Sequence, residues 1–131
     1  MANEAVPIEG PYEAHDFTVQ ETVAIDKYTL CMLSGANLAF ASAGAEVFAG
    51  VAGTDKVATD NATTLGLNTT GTYDLKTLGP AIPAGTIVAL SGANLIKAAD
   101  ATDLLTGAAF GKAMEDIGVD GTGMIKIGSM E

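Results

Sequence analysis

Apolar and polar residues alternate along this chain in short runs. Phe17, Val19, Val23 and Ile25 fall on alternate positions, interrupted by Glu21. Leu65 and Leu67 alternate with Thr64, Gly66 and Asn68, and Tyr73 and Leu75 with Thr72, Asp74 and Lys76. Ile125 and Ile127 alternate with Met124 and Lys126. A period of two sends successive side chains to opposite faces, so each run predicts a strand with one buried face. Between the runs stand turn formers: Gly53-Thr-Asp55, Thr69-Thr-Gly71, Gly79-Pro80, Pro83-Ala-Gly85 and Asp120-Gly-Thr-Gly123. Turns at this density predict an all-β fold, a small β-barrel or sandwich-like domain. One short helix is predicted around residues 100–105, with Asp100 as its cap and Leu104 and Leu105 packing inward.

The chain also repeats itself. Leu33-Ser-Gly-Ala-Asn-Leu38 recurs as Leu90-Ser-Gly-Ala-Asn-Leu95, 57 residues later. Each copy follows an apolar run and precedes an alanine-rich stretch, with a glycine-containing strand further on (residues 47–52 and 108–113). The reading is a reused strand–turn–strand unit whose Gly and Asn set the corner. Two good hairpins and an internal duplication would both leave this trace.

Residues 1–15 contain Pro7, Gly10 and Pro11 and show no periodicity. They are read as an extended N-terminal arm, and residues 16–131 as a single β-rich domain. The arm is either a solvated tail or a segment that orders on a partner, with Val6, Pro7, Ile8 and Tyr12 as anchors.

Composition narrows the function. The sequence has 131 residues, 48% of them apolar, enough to bury a core. Six lysines, no arginine and 16 acidic residues leave a formal charge of -10. Such a chain repels phosphate, so nucleic acid is not an expected partner. No apolar run reaches the roughly 18 residues of a membrane span. The N-terminus lacks the lysine and apolar stretch of a secretory signal, so folding in a cytoplasm is expected. Only 5% of residues are aromatic, which leaves modest bulk for a core and favours self-association.

Candidate chemistry is sparse. A hydrolytic centre needs a held base, and the single histidine, His15, lies in the arm. One cysteine, Cys31, and one histidine do not make a zinc site. Cys31 lies in an apolar stretch and reads as a small buried residue. Gly107-Ala-Ala-Phe-Gly-Lys-Ala113 is one residue too short for a phosphate loop and ends in alanine where a hydroxyl is needed. It reads instead as a strand with a glycine at a close backbone contact. No catalytic residue, cofactor or metal is assigned, and the chain is not read as an enzyme.

The order of segments then becomes informative. Ala43-Gly-Ala-Glu-Val-Phe-Ala-Gly-Val-Ala52 is followed by Gly71-Thr-Tyr-Asp-Leu75 and Ile82-Pro-Ala-Gly-Thr-Ile-Val88. Gly107-Ala-Ala-Phe-Gly-Lys-Ala113 comes next, and Gly123-Met-Ile-Lys-Ile127 closes the series. This succession of small and β-branched runs, over residues 16–128, resembles the capsid cement, or head decoration, proteins of tailed bacteriophages. The resemblance implies a virion protein on the outer surface of an icosahedral head. Its partner would be the major capsid protein, whose subunit contacts it would stabilise, and it would assemble as a homo-oligomer, a trimer by preference. A surface fibre or adhesin-like β-module without catalytic activity is the alternative.

Overall fold

The computed structural model describes residues 5–10, 12, 14–20, 22–33, 38–43, 47–59 and 62–127. The first Ser-Gly-Ala-Asn corner and the acids Glu4 and Glu13 lie outside these residues. The described chain is almost entirely β. A first sheet contains, in spatial order, β2 (Ala14–Thr18), β6 (Thr64–Asn68), β5 (Val47–Ala52), β3 (Leu30–Leu33) and β4 (Ala39–Ala41). A second runs β1 (Val6–Glu9), β7 (Gly71–Thr77), β11 (Thr122–Ile127), β10 (Ala109–Ala113), β8 (Ile87–Gly92) and β9 (Leu95–Ala98). Parallel pairing of Lys76 with Leu95 and Thr77 with Ile96 joins β7 to β9 and closes the second sheet into a five-strand barrel. Closure removes sheet edges, the chronic liability of β proteins.

The two sheets follow one plan. β2, β6, β5, β3 and β4 correspond in order to β7, β11, β10, β8 and β9. The correspondence extends to single hydrogen bonds. Tyr28 N donates to Ala52 O and Gly85 N to Ala113 O, both at 2.8 Å. Both donors have positive φ, 68° at Tyr28 and 87° at Gly85. Ile25 bridges Lys56 as Ile82 bridges Ile117. Lys27 N donates to the Asp55 carboxylate at 2.7 Å, and Ala84 N to that of Asp116 at 2.8 Å. Even the irregularity recurs: the register of β3 on β5 slips beside Ala49, and that of β8 on β10 beside Phe110. The repeated hexapeptide is thus the visible remnant of a repeat that spans residues 14–68 and 71–127. The second copy turns the β8–β9 hairpin, and the first lies in the sequence between the paired strands β3 and β4. In the second hairpin, Asn94 takes φ 58°, the left-handed geometry that asparagine tolerates better than most residues.

Two buried clusters form, one centred on each unit, and Leu30 and Val51 from the first unit's strands join the second cluster. Tyr73, Leu75, Val88, Leu90, Ile96, Phe110 and Ile125 are among the buried residues of the second. Val19, Ile25, Cys31, Ala39, Ala49, Leu65 and Leu67 are among those of the first. The first is lighter, with Ala39 and Ala49 where the second has Ile96 and Phe110. The units are tied by the second hairpin corner. Leu30 N donates to the Asn94 side chain at 2.8 Å, and the Ser42 hydroxyl to Gly92 O at 2.8 Å. The Phe48 and Phe110 rings stack with centroids 4.3 Å apart.

The predicted helix forms as α1 (Ala101–Thr106), capped by Asp100 as expected. Its orientation differs from the expectation. Leu104 and Leu105 are exposed, Leu105 by 87%, while Asp103 is buried. Asp103 completes a reciprocal capping box with Asp100, and its carboxylate lies 3.5 Å from Lys97 Nζ. In so short a helix, capping and the ion pair decide which face turns inward. The helix also accounts for the longer connection in the second unit, ten residues between β9 and β10 against five between β4 and β5.

Candidate interaction surface

The N-terminal segment does not stand apart from the sheets. Ala5 is fully buried, and its N–H donates to Tyr28 O at 2.9 Å. β1 then pairs antiparallel with β7, Val6 opposite Asp74 and Pro7 opposite Tyr73. Proline is tolerated there because β1 is an edge strand and Pro7 can spare its missing donor. Val6 and Ile8 remain 48% and 44% exposed, and Pro7 is half-buried. Tyr12 closes the segment. Its ring lies 5.5 Å from that of Tyr73, over Gly71, where any Cβ would collide with it. The four anchor residues therefore gather along the outer edge of the barrel, three of them presenting apolar surface. Residues expected to lack a partner within the chain find one in β7. β2 likewise begins at Ala14, inside the segment read as arm.

Two other apolar areas are exposed. Leu104, Leu105 and Val47 form one, joined through Gly107, whose Cβ position lies 3.4 Å from Val47. Leu78 and Val119 form the other, on loops linked by the hydrogen bonds of Gly79 and Asp120. The sequence reading turned Leu104 and Leu105 inward and passed over Val47, Leu78 and Val119, because a residue in a loop or a short helix carries no periodic signal of its exposure.

The remaining candidates separate. His15 is exposed on β2 opposite Leu67. Cys31 is fully buried on β3, its thiol 3.5 Å from Thr29 O. Among the described residues, no three metal-ligating side chains come together. The segment from Gly107 to Ala113 contains β10, and a Cβ on Gly111 would lie 2.6 Å from Lys126 O. It is the strand with a close backbone contact that the sequence suggested.

Burial governs the two perturbed interior acids. It pushes the Cys31 thiol up to about 12, against a smaller opposing hydrogen bond from the Ala52 backbone. It pushes the Tyr73 hydroxyl to about 12 as well. That hydroxyl makes no hydrogen bond of ordinary geometry among the described residues, and the Asn68 side chain offsets only part of the effect. Both groups lose their protons more readily in the unfolded chain, from ordinary values of 9.0 and 10.0. The unfolded chain then binds fewer protons than the folded one, and stability falls as pH rises from about 9 to 12. Thermal melts between pH 8 and 11 should show this fall, and Cys31→Ala should make it shallower. An equally steep fall in the variant would mean that the thiol ionises alike in both states.

Charge is divided unevenly. Residues 1–70 hold nine acids and two lysines, and residues 71–131 seven acids and four lysines. Lys56, one of the first pair, is only 2% exposed. No protein-family model and no curated protein matches the chain.

Proposed function

We propose that this chain is a structural virion protein that binds the outer surface of an icosahedral phage head and stabilises contacts between major capsid protein subunits. The observation that carries the reading is the exposed apolar edge at β1, where Val6, Ile8 and Tyr12 are exposed along the outer strand of the barrel sheet. An edge strand with apolar side chains offers a partner both main-chain hydrogen bonds and pockets to fill. The reading is supported further by the order of segments that resembles cement proteins. Those runs include β5, β7, β10 and β11 and lead into β8. Self-association as a trimer belongs to the same proposal, with the Leu104–Leu105–Val47 area as apolar surface available for burial between copies, at about 25 cal/mol per Å².

The direct test mixes purified protein with undecorated heads and images them. The double variant Val6→Ser, Ile8→Ser changes exposed side chains only, so its melting temperature should shift little. Its occupancy on heads should fall at least about tenfold, the equivalent of roughly 1.4 kcal/mol. Imaging of the bound wild type should show clusters of three. Unchanged occupancy of the variant would remove β1 from the contact, and failure of the wild type to bind heads would overturn the proposal.

A further inference from the structure

The two units differ at one place that the repeat makes visible. In the second unit the outer edge of β7 is fully used: β1 pairs along residues 72–74, and β9 pairs with Lys76 and Thr77. The corresponding stretch of the first unit is β2 with Val19. Its inner edge is bonded to β6, and Val19 N donates to Thr63 O at 2.9 Å just as Thr77 N donates to Gly121 O. Backbone groups alternate in direction along a strand, so those of Ala14, Asp16 and Thr18 face away from β6. Among the described residues no strand pairs with that edge, and β2 and β4 do not pair with each other. Among the described residues, the first unit therefore has an open seam where the second is closed. Phe17 and Leu33 are only partly buried and rest on the first-unit core. Ala14, His15, Asp16 and Thr18 are exposed.

An unpaired strand edge is a template for another strand. The second unit shows what such an edge takes in this fold, an extended segment laid along the strand. Charge selects the occupant. Residues 1–70 carry a net -7, and among the described residues of the first unit Asp16, Asp26 and Asp55 are exposed against a single exposed lysine, Lys27. Two copies meeting at this edge would bring two such acidic surfaces together, which like charge opposes. We propose that the open edge of β2 receives an extended basic segment of another protein by strand addition. This site is separate from the apolar β1 edge, and its test needs no capsid, so the two readings stand or fall independently.

The probe is a labelled peptide of about nine residues alternating lysine and valine, with a glutamate–valine peptide as its counterpart. Binding to the full-length protein is followed by fluorescence anisotropy. The lysine peptide should bind, more weakly at higher salt, and the glutamate peptide should not. Asp16→Pro removes an outward N–H without touching the β6 ladder and should weaken binding roughly tenfold. Asp16→Lys leaves the backbone intact, so it reports even if the proline variant misfolds. It should reduce affinity for the lysine peptide and raise it for the glutamate peptide. No binding of the lysine peptide, or equal affinity in wild type and both variants, overturns the proposal. Self-association of the wild type that Asp16→Lys abolishes also overturns it, because a second copy would then hold the edge.

Discussion

Replacing Gly111 by alanine is expected to destabilise the protein by about 3 kcal/mol and to lower its melting temperature by roughly 10 °C. The added Cβ would lie 2.6 Å from Lys126 O and 3.1 Å from the Ile125 side chain. The nearer obstacle is backbone, held in the β10–β11 ladder, so it cannot rotate away as a side-chain end would. The repeat supplies an independent check at Gly50, the corresponding position on β5. There a Cβ would lie 2.8 Å from Leu67 Cβ and 2.9 Å from Asn68 O. Gly50→Ala should be costly for the same reason. Gly118→Ala is the control: nothing lies within 4 Å of its Cβ and its φ is not positive, so the change should be near neutral. Comparable melting temperatures for Gly111→Ala and Gly118→Ala would show that the ladder yields more than its geometry suggests.

Deleting residues 2–12 is expected to lower stability by about 3 kcal/mol while leaving the chain folded. The deletion removes a fully buried Ala5, the β1–β7 hydrogen bonds and the Tyr12 ring against Tyr73. Part of that loss is returned, because the segment no longer has to be ordered. The eleven-residue truncation thus tests the sheet, whereas the Val6 and Ile8 serine variant tests attachment. A truncated protein with an unchanged denaturant midpoint would mean that β1 adds nothing to the barrel. Loss of head binding by truncation alone would say little, since it removes the strand and its contacts together.

Much of the architecture was legible in the chain. Leu65 and Leu67, Tyr73 and Leu75, and Ile125 and Ile127 are all buried on strands, as their alternation required. Asp100 capped its helix because a short carboxylate before a helical stretch satisfies free N–H groups whatever lies beyond. The run from Phe17 to Ile25 was only half right: β2 ends at Thr18, and a loop carries the chain to the isolated bridge at Ile25. Glu21, which broke the alternation, lies outside the described residues.

The candidate surface was less legible. Val6, Pro7, Ile8 and Tyr12 were singled out as a group, but their neighbour, β7, is some sixty residues away and invisible to any local pattern. The sequence by itself determined strand content, most turns, the interior place of Cys31 and the helix cap, because these depend on neighbours along the chain. Tertiary structure alone decided which strands pair, that a six-residue identity marks a repeat of whole five-strand units, and that one unit closes while the other, among the described residues, stays open. It also decided that Leu104 and Leu105 face outward and Asp103 inward. Each of these outcomes depends on residues far apart in sequence meeting at one register. Side-chain bulk, such as Ile96 and Phe110 against Ala39 and Ala49, takes its meaning only there.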